Sequence, residues 1–224
     1  MGNIRIRKTG DSKSDSGIKF RRKLNIEWNS KNLESENDVN GNEGTLDRAI
    51  IFANLKTNVT DPSTLLIDKV EFSSFKEKNI KALRSSTGNT HKITDGPFFR
   101  SNSNFQKDLN KLSTLGGWVS NLPKDENLIL RIDSLKADVI YEIRLIFSRG
   151  KKGCSENITL NSGDCTLDLS IEENQVAIGR FIAPSEAIEL TIGSSDNNPP
   201  FINALVVRQI GFSPRMSMIV SLIA

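Results

Sequence analysis

The side chains suited to chemistry are few and scattered along this chain. Its 224 residues include one histidine, His91, and two cysteines, Cys154 and Cys165. Nucleophilic catalysis of the serine-histidine-acid kind needs an imidazole beside the nucleophile, whereas His91 lies in the turn-rich run TGNTHK, without a nucleophile motif. A structural zinc ion takes about four Cys or His ligands. We therefore expect neither a catalytic triad nor a zinc site.

The carboxylates do not form an acid/base pair either. Glu172 and Glu173 are adjacent, so on a strand they point to opposite faces, whereas a glycosidase holds two carboxylates across a cleft. The runs Asp196–Asn198 and Asp38–Glu43 contain the oxygen ligands that calcium prefers, but the same residues make ordinary turns. The chain is predicted not to be an enzyme and to need no cofactor, with a structural calcium ion left open.

Three aromatic residues have rings that could stack on a sugar, since the faces of both are partly apolar. Trp28 follows Ile26 in a strand-like pattern, and Tyr141 alternates with other apolar residues, so both are expected in the core. Trp118 follows the pair Gly116-Gly117 instead. We expect Trp118 to be exposed and to be the glycan-binding residue.

Charge is concentrated at the amino end. Residues 1–23 contain eight basic and two acidic residues, a net charge of +6, so the remainder of this +3 chain sums to −3. Such an arm is either a solvated tail or a segment that docks on an acidic neighbouring subunit or on nucleic acid. The residues predicted to bind a partner are Arg5, Arg7, Lys8, Arg21, Arg22 and Lys23.

The carboxyl end is apolar. Residues 216–224 read MSMIVSLIA, too short to cross a membrane and prone to aggregation if exposed as a strand. We expect residues 213–224 to dock on the chain's own sandwich or on another subunit, through Ile219 and Leu222.

The cysteines can be tested against hairpin geometry. A two-residue turn at Ser162-Gly163 would set Leu160 opposite Cys165 and Cys154 opposite Ile171. Because a disulfide needs its Cα atoms within about 7 Å, this register predicts two free thiols.

Between the two ends, short alternating segments separated by Gly, Asn, Asp and Pro predict a β-sandwich or jelly roll over residues 24–212. In Tyr141–Phe147 the apolar residues share one face, with Glu142 and Arg144 on the other, as in a half-buried strand. Residues 104–112 suit one short amphipathic helix, because Phe105, Leu109 and Leu112 have helical spacing. Residues 29–45 are predicted to be a polar surface loop. The predicted strands are Leu24–Trp28, Arg48–Leu55, Leu65–Phe75, Leu128–Ile132, Ile140–Phe147, Cys165–Ile171, Val176–Ala183, Ile188–Ile192 and Phe201–Phe212.

Four segments carry a family resemblance: WNS at 28–30, LRSSTGNTHKITDGPF at 83–98, LRIDSLKADVIYEIRLIFSRG at 130–150 and FINALVV at 201–207. In this order they resemble the galactose-binding-like jelly rolls, above all the malectin-like modules of bacterial surface proteins and phage virion proteins. The resemblance covers residues 24–210. It implies a β-sandwich that holds sugars at its loop ends, frequently with a structural calcium ion.

The sequence thus predicts a non-enzymatic subunit of a larger assembly, a phage virion component such as a capsid decoration, tail or fibre-associated protein. Its predicted partners are other subunits, copies of itself in a homo-oligomer, a host glycan and, through the arm, nucleic acid; no membrane is expected. The alternative is a stand-alone carbohydrate-binding module, secreted or on a bacterial cell surface. An enzyme with an unrecognised site is the third reading.

Overall fold

The computed structural model describes the greater part of the chain, in nine stretches and two single residues. These are residues 23–52, 64–74, 83–85, 93–97, 109, 112, 115–119, 127–148, 156–171, 174–194 and 200–212. The predicted arm, except Lys23, and the predicted tail lie outside them, as do His91, Cys154 and the runs at 172–173 and 196–198. The domain boundaries at residues 23 and 213 therefore stay predictions.

The larger sheet has seven strands in the order β1-β12-β9-β15-β2-β4-β3. All of its neighbouring strands are antiparallel except β2 and β4, which run parallel. Its strands are β1 (Glu27–Asn32), β2 (Thr45–Ile51), β3 (Thr64–Ile67), β4 (Val70–Ser74), β9 (Val139–Phe147), β12 (Gln175–Ile182) and β15 (Ala204–Phe212).

A five-stranded sheet has the order β11-β10-β13-β8-β5, and a three-stranded sheet the order β14-β7-β6. Together with the short helix α1 (Glu36–Asn40), these sheets confirm the predicted all-β sandwich. Their strands are β5 (Leu83–Ser85), β6 (Ile93–Pro97), β7 (Leu115–Val119), β8 (Leu128–Ile132), β10 (Glu156–Ser162), β11 (Cys165–Ile171), β13 (Ile188–Ser194) and β14 (Phe201–Ile202).

Strand β9 is the centre of the sandwich. Its alternating residues Tyr141, Ile143, Leu145 and Phe147 are buried in a core shared with the five-stranded sheet, as the period-2 pattern predicts. The half-buried prediction was wrong for its other face. Glu142 and Arg144 are buried as well, because residues of the β1–β2 connection cover them.

A second apolar cluster explains this cover. It lies on the other side of the seven-stranded sheet, where Ile146 and Val206 belong to one buried cluster with Leu33 and Val39 of the β1–β2 connection and with Phe72. We call this side of the seven-stranded sheet, turned away from the five-stranded sheet, the outer face. The prediction of a polar surface loop over residues 29–45 was therefore wrong. Its few apolar residues are what fasten it to the sheet.

Two predicted strands are each divided by a local backbone feature. Residues 65–75 form the hairpin β3–β4, which turns at Asp68 with a positive φ of 44°. Residues 201–212 divide at the fully buried Asn203. The Asn203 side chain accepts a hydrogen bond from the Ser148 backbone N–H at 2.7 Å and donates one to the Leu115 carbonyl at 2.7 Å. Asn203 thus joins strand β7 to the end of β9.

The predicted register of the cysteine hairpin was wrong by two residues. Strands β10 and β11 pair Ser162 with Cys165 and Leu160 with Leu167. The turn is Gly163-Asp164, because Gly163 takes the positive φ of 62° that the tight turn requires. Cys165 is a free thiol, as predicted. In the predicted helix the structure describes Leu109 and Leu112, both helical and buried.

Candidate functional site

The open part of the outer face lies over strands β1 and β12 and the start of β9. The pairing register sets Glu27 opposite Arg180 and Asn29 opposite Ile178, and Ile182 opposite Ile140. Glu27, Asn29 and Arg180 are exposed, and the three isoleucines are partly exposed. We call this surface the shelf: Glu27, Asn29, Ile140, Ile178, Arg180 and Ile182.

Arg180 is held at the centre of the shelf by a buried carboxylate. Glu142, 1% exposed, accepts a hydrogen bond from Arg180 Nε at 2.9 Å with one oxygen and from Arg144 Nε at 2.8 Å with the other. The Arg180 side chain is 46% exposed and also pairs with Glu43, with Arg180 Nη2 at 2.9 Å from Glu43 Oε2. The hydrogen bond to Glu142 raises the pKa of Arg180 and outweighs the opposing effect of burial. The hydrogen bond to Glu43 raises this pKa further. The guanidinium is therefore fixed, charged and open to solvent.

Helix α1 and residues 41–44 form a wall beside the shelf. Arg144 donates to the Asp38 carbonyl at 2.9 Å, and Arg208 donates to the Glu43 carbonyl at 2.7 Å. Gly44 has a φ of +69°, and a Cβ there would lie 2.1 Å from the Gln209 carbonyl oxygen. Because only glycine fits so close to a strand, the wall lies directly on β15.

The end of the wall is closed by an ion pair between Lys31 and Asp38. Burial raises the pKa of Asp38, but hydrogen bonds from Lys31 and from the Glu34 and Ser35 N–H groups outweigh it and lower that pKa from 3.8 to about 2. Asp38 also accepts a hydrogen bond from the hydroxyl of Ser35, the residue before α1, at 2.9 Å, so it stabilises the start of the helix. This carboxylate, predicted as a possible calcium ligand, has a structural role here.

Ion pairs hold most of the charges around the shelf. Asp38 pairs with Lys31, Glu142 with Arg144 and Arg180, and Glu43 with Arg180. The surface is thus polar and ion-paired.

Most of the residues predicted as sites lie outside the described part of the structure. Of the predicted arm residues the structure describes Lys23, which pairs with Asp164, both being well exposed. Arg5, Arg7, Lys8, Arg21 and Arg22 lie outside the described residues, and so do Ile219 and Leu222. Their partner-binding roles stay predictions.

The aromatic predictions are partly tested. Tyr141 is buried and stacks on Phe181, with ring centroids 6.0 Å apart, as expected of a core residue. Trp28 is half-buried against the same core and donates to the Ser162 hydroxyl at 3.3 Å. Trp118 lies in β7 opposite Phe201, but its side chain is outside the described part of the structure, so its exposure stays a prediction.

Sequence reasoning missed Arg180, and it named Glu43 only within a run that could supply calcium ligands. The available signal was Glu142 and Arg144, two charges in an otherwise apolar strand, because buried charges need partners. Within the described stretches no group of His, Cys, Asp and Glu could hold a metal ion, and none of the helices there is long and apolar enough to span a membrane.

The comparisons with known proteins concern the fold. No protein-family model matches the sequence, and no curated protein matches it significantly. Bacteroides uniformis beta-glucuronidase 2 is similar at 13% identity and a TM-score of 0.46, over 73% of this chain and 18% of that one. The CBM22-1 and GH10 modules of Clostridium thermocellum xylanase 10B are similar at 16% identity and a TM-score of 0.38, over 57% of this chain and 26% of that one. A xylan-binding domain from CBM 22 is similar at 9% identity and a TM-score of 0.31, over 59% of this chain and 89% of that one. At these identities and TM-scores the likeness transfers no function; what the structure itself establishes is an all-β sandwich.

Proposed function

We propose that this chain is a non-catalytic carbohydrate-binding module and that the shelf is its binding surface. The observation that carries the proposal is Arg180, which stays 46% exposed although two carboxylates fix its position. A polar group held in place before binding loses little freedom when a ligand arrives. This is what recognition of a flexible, hydroxyl-rich ligand requires.

The composition of the shelf fits a sugar ring. A saccharide offers hydroxyl groups at its edge and C–H groups on its faces, and binding sites match these with a few fixed polar groups among apolar ones. On the shelf, Glu27, Asn29 and Arg180 supply the polar groups, while Ile178 and Ile182 supply apolar surface. Extended chains of sugars could lie across β1 and β12.

The arrangement also supports a non-catalytic role. Both oxygens of Glu142 accept hydrogen bonds from arginine side chains, so neither is available to a substrate. Asp38 is likewise occupied by Lys31 and the start of α1. Glycoside hydrolysis needs an acid and a second carboxylate facing the scissile bond, and these two carboxylates are engaged in holding the wall.

The predicted role in a larger assembly rests on the arm and the tail, outside the described residues. Neither the shelf nor the similar structures support a phage virion component, so that role stays a prediction. A binding module of a secreted or surface protein is the setting that we propose.

The test is calorimetric titration with three neutral hexasaccharides, xylohexaose, cellohexaose and galactohexaose. The double variant Glu27→Ala/Asn29→Ala should weaken the best of them about tenfold, the value of one or two hydrogen bonds. The matched control is Lys69→Ala/Glu71→Ala, two exposed residues at the other edge of the same sheet. Equal affinity in both variants, or no binding to any hexasaccharide, would contradict the proposal.

A further inference from the structure

We infer that the saccharide bound on the shelf is neutral and that Arg180 and Glu43 together recognise two vicinal hydroxyl groups. This inference rests on the proposed function and adds the class of ligand to it. Its starting point is the contact between Arg180 Nη2 and Glu43 Oε2, which are 2.9 Å apart. Both side chains are accessible, 46% for Arg180 and 61% for Glu43.

The pair offers one donor and one acceptor side by side. A guanidinium only donates hydrogen bonds and a carboxylate only accepts them, whereas a hydroxyl does both. Of two hydroxyls on neighbouring sugar carbons, one can donate to Glu43 while the other accepts from Arg180. Arg180 Nε is bound to Glu142, and Arg180 Nη2 contacts both Glu142 and Glu43. The other terminal nitrogen of the guanidinium, Nη1, is therefore the donor left for the ligand.

The charge balance disfavours an acidic sugar. A uronate carboxylate would approach Arg180, whose charge is compensated by Glu142 and Glu43, with Glu27 opposite it on the neighbouring strand. It would also donate no hydrogen bond to Glu43, since both carboxylates only accept. A neutral diol meets neither cost, so the site selects against anionic saccharides.

The experiment compares matched pairs that differ in the C6 group, galactohexaose with hexagalacturonate and cellohexaose with its C6-oxidised uronate form. In the pair that binds more tightly, we expect the neutral saccharide to bind at least tenfold more tightly than its uronate form. Its dissociation constant should change less than about twofold between 0.05 and 1 M NaCl, because salt screens charge pairs and not hydroxyl contacts.

Tighter binding of a uronate, weakened by salt, would overturn this inference and leave the proposed function standing. No binding of either member of both pairs would overturn both. The two failures are therefore distinct.

A charge-neutralising variant tests the roles of the two side chains. Glu43→Gln keeps one acceptor oxygen but removes a negative charge, so neutral binding should weaken roughly threefold to tenfold and the preference over the uronate should shrink. The control is Glu189→Gln, since Glu189 is also an exposed acid that pairs with an arginine, Arg131, but on the five-stranded sheet. If Glu43→Gln changes neither affinity nor preference, Glu43 does not touch the ligand and the inference is wrong.

Discussion

Replacing Glu142 by alanine should strongly destabilise the protein. The side chain of Arg144 is 10% exposed and donates from Nε to Glu142 at 2.8 Å. Without the carboxylate, Arg144 keeps the helix carbonyls of Asn37 and Asp38 as acceptors but has no counter-charge. Breaking a buried ion pair by removing one partner costs about 3–5 kcal/mol.

A second estimate agrees with that value. Glu142 accepts charge-assisted hydrogen bonds from Arg144 at 2.8 Å and from Arg180 at 2.9 Å, and hydrogen bonds to charged groups contribute about 1.5–3 kcal/mol each. We therefore expect the free energy of unfolding to fall by about 4 kcal/mol, which lowers Tm by roughly 10 °C in a domain of this size.

Urea denaturation followed by circular dichroism measures this loss. Glu189→Ala is the control, because its pair with Arg131 spans 3.4 Å and both side chains are more than 40% exposed; such pairs are worth about 0–1 kcal/mol. A loss in Glu142→Ala of the same size as in the control would refute the claim that a buried ion network fixes Arg180.

Three further changes test other parts of the structure. Asn203→Ala removes one buried and one part-buried hydrogen bond, through which Asn203 links the end of β9 to β7, and should cost about 2–4 kcal/mol in the same urea assay. Asp38 has its pKa lowered from 3.8 to about 2, so its stabilisation is present above pH 4 and is lost as the pH falls through 2. Asp38→Asn should therefore cost about 2 kcal/mol at pH 7 and almost nothing near pH 1.5, measured by urea unfolding across pH. At Gly179 a Cβ would lie 2.6 Å from Ile26 and 2.8 Å from the Trp28 ring. Gly179→Ala should therefore shift the fluorescence of Trp28, measured in a Trp118→Phe background. An unchanged spectrum would place the Trp28 ring elsewhere.

Much of the sandwich follows from local pattern. The bounds of Leu128–Ile132 and Cys165–Ile171 agree with the structure to the residue, because turn residues flank each of these short apolar runs. The core face of β9 likewise follows from its alternation. Such features depend on residues close together in the sequence.

The misassigned features depend on distant residues. Nothing near residues 29–45 indicates that Leu33 and Val39 are buried, because the cluster that covers them includes Ile146 and Val206, more than 100 residues later. The hairpin register depended on which of two adjacent turns is used, and the positive φ of Gly163 decides that. The shelf joins β1 to β12, whose pairing within the seven-stranded sheet no local pattern shows.

The most direct test of the central claim is chemical-shift mapping by NMR of the full chain during titration with the tightest-binding neutral hexasaccharide. If the shelf is the binding surface, the largest changes should fall on the backbone amides of Glu27, Asn29, Ile178 and Arg180, with smaller ones at Glu43. Changes confined to Trp118 and its neighbours in the three-stranded sheet, or no changes at millimolar saccharide, would contradict it.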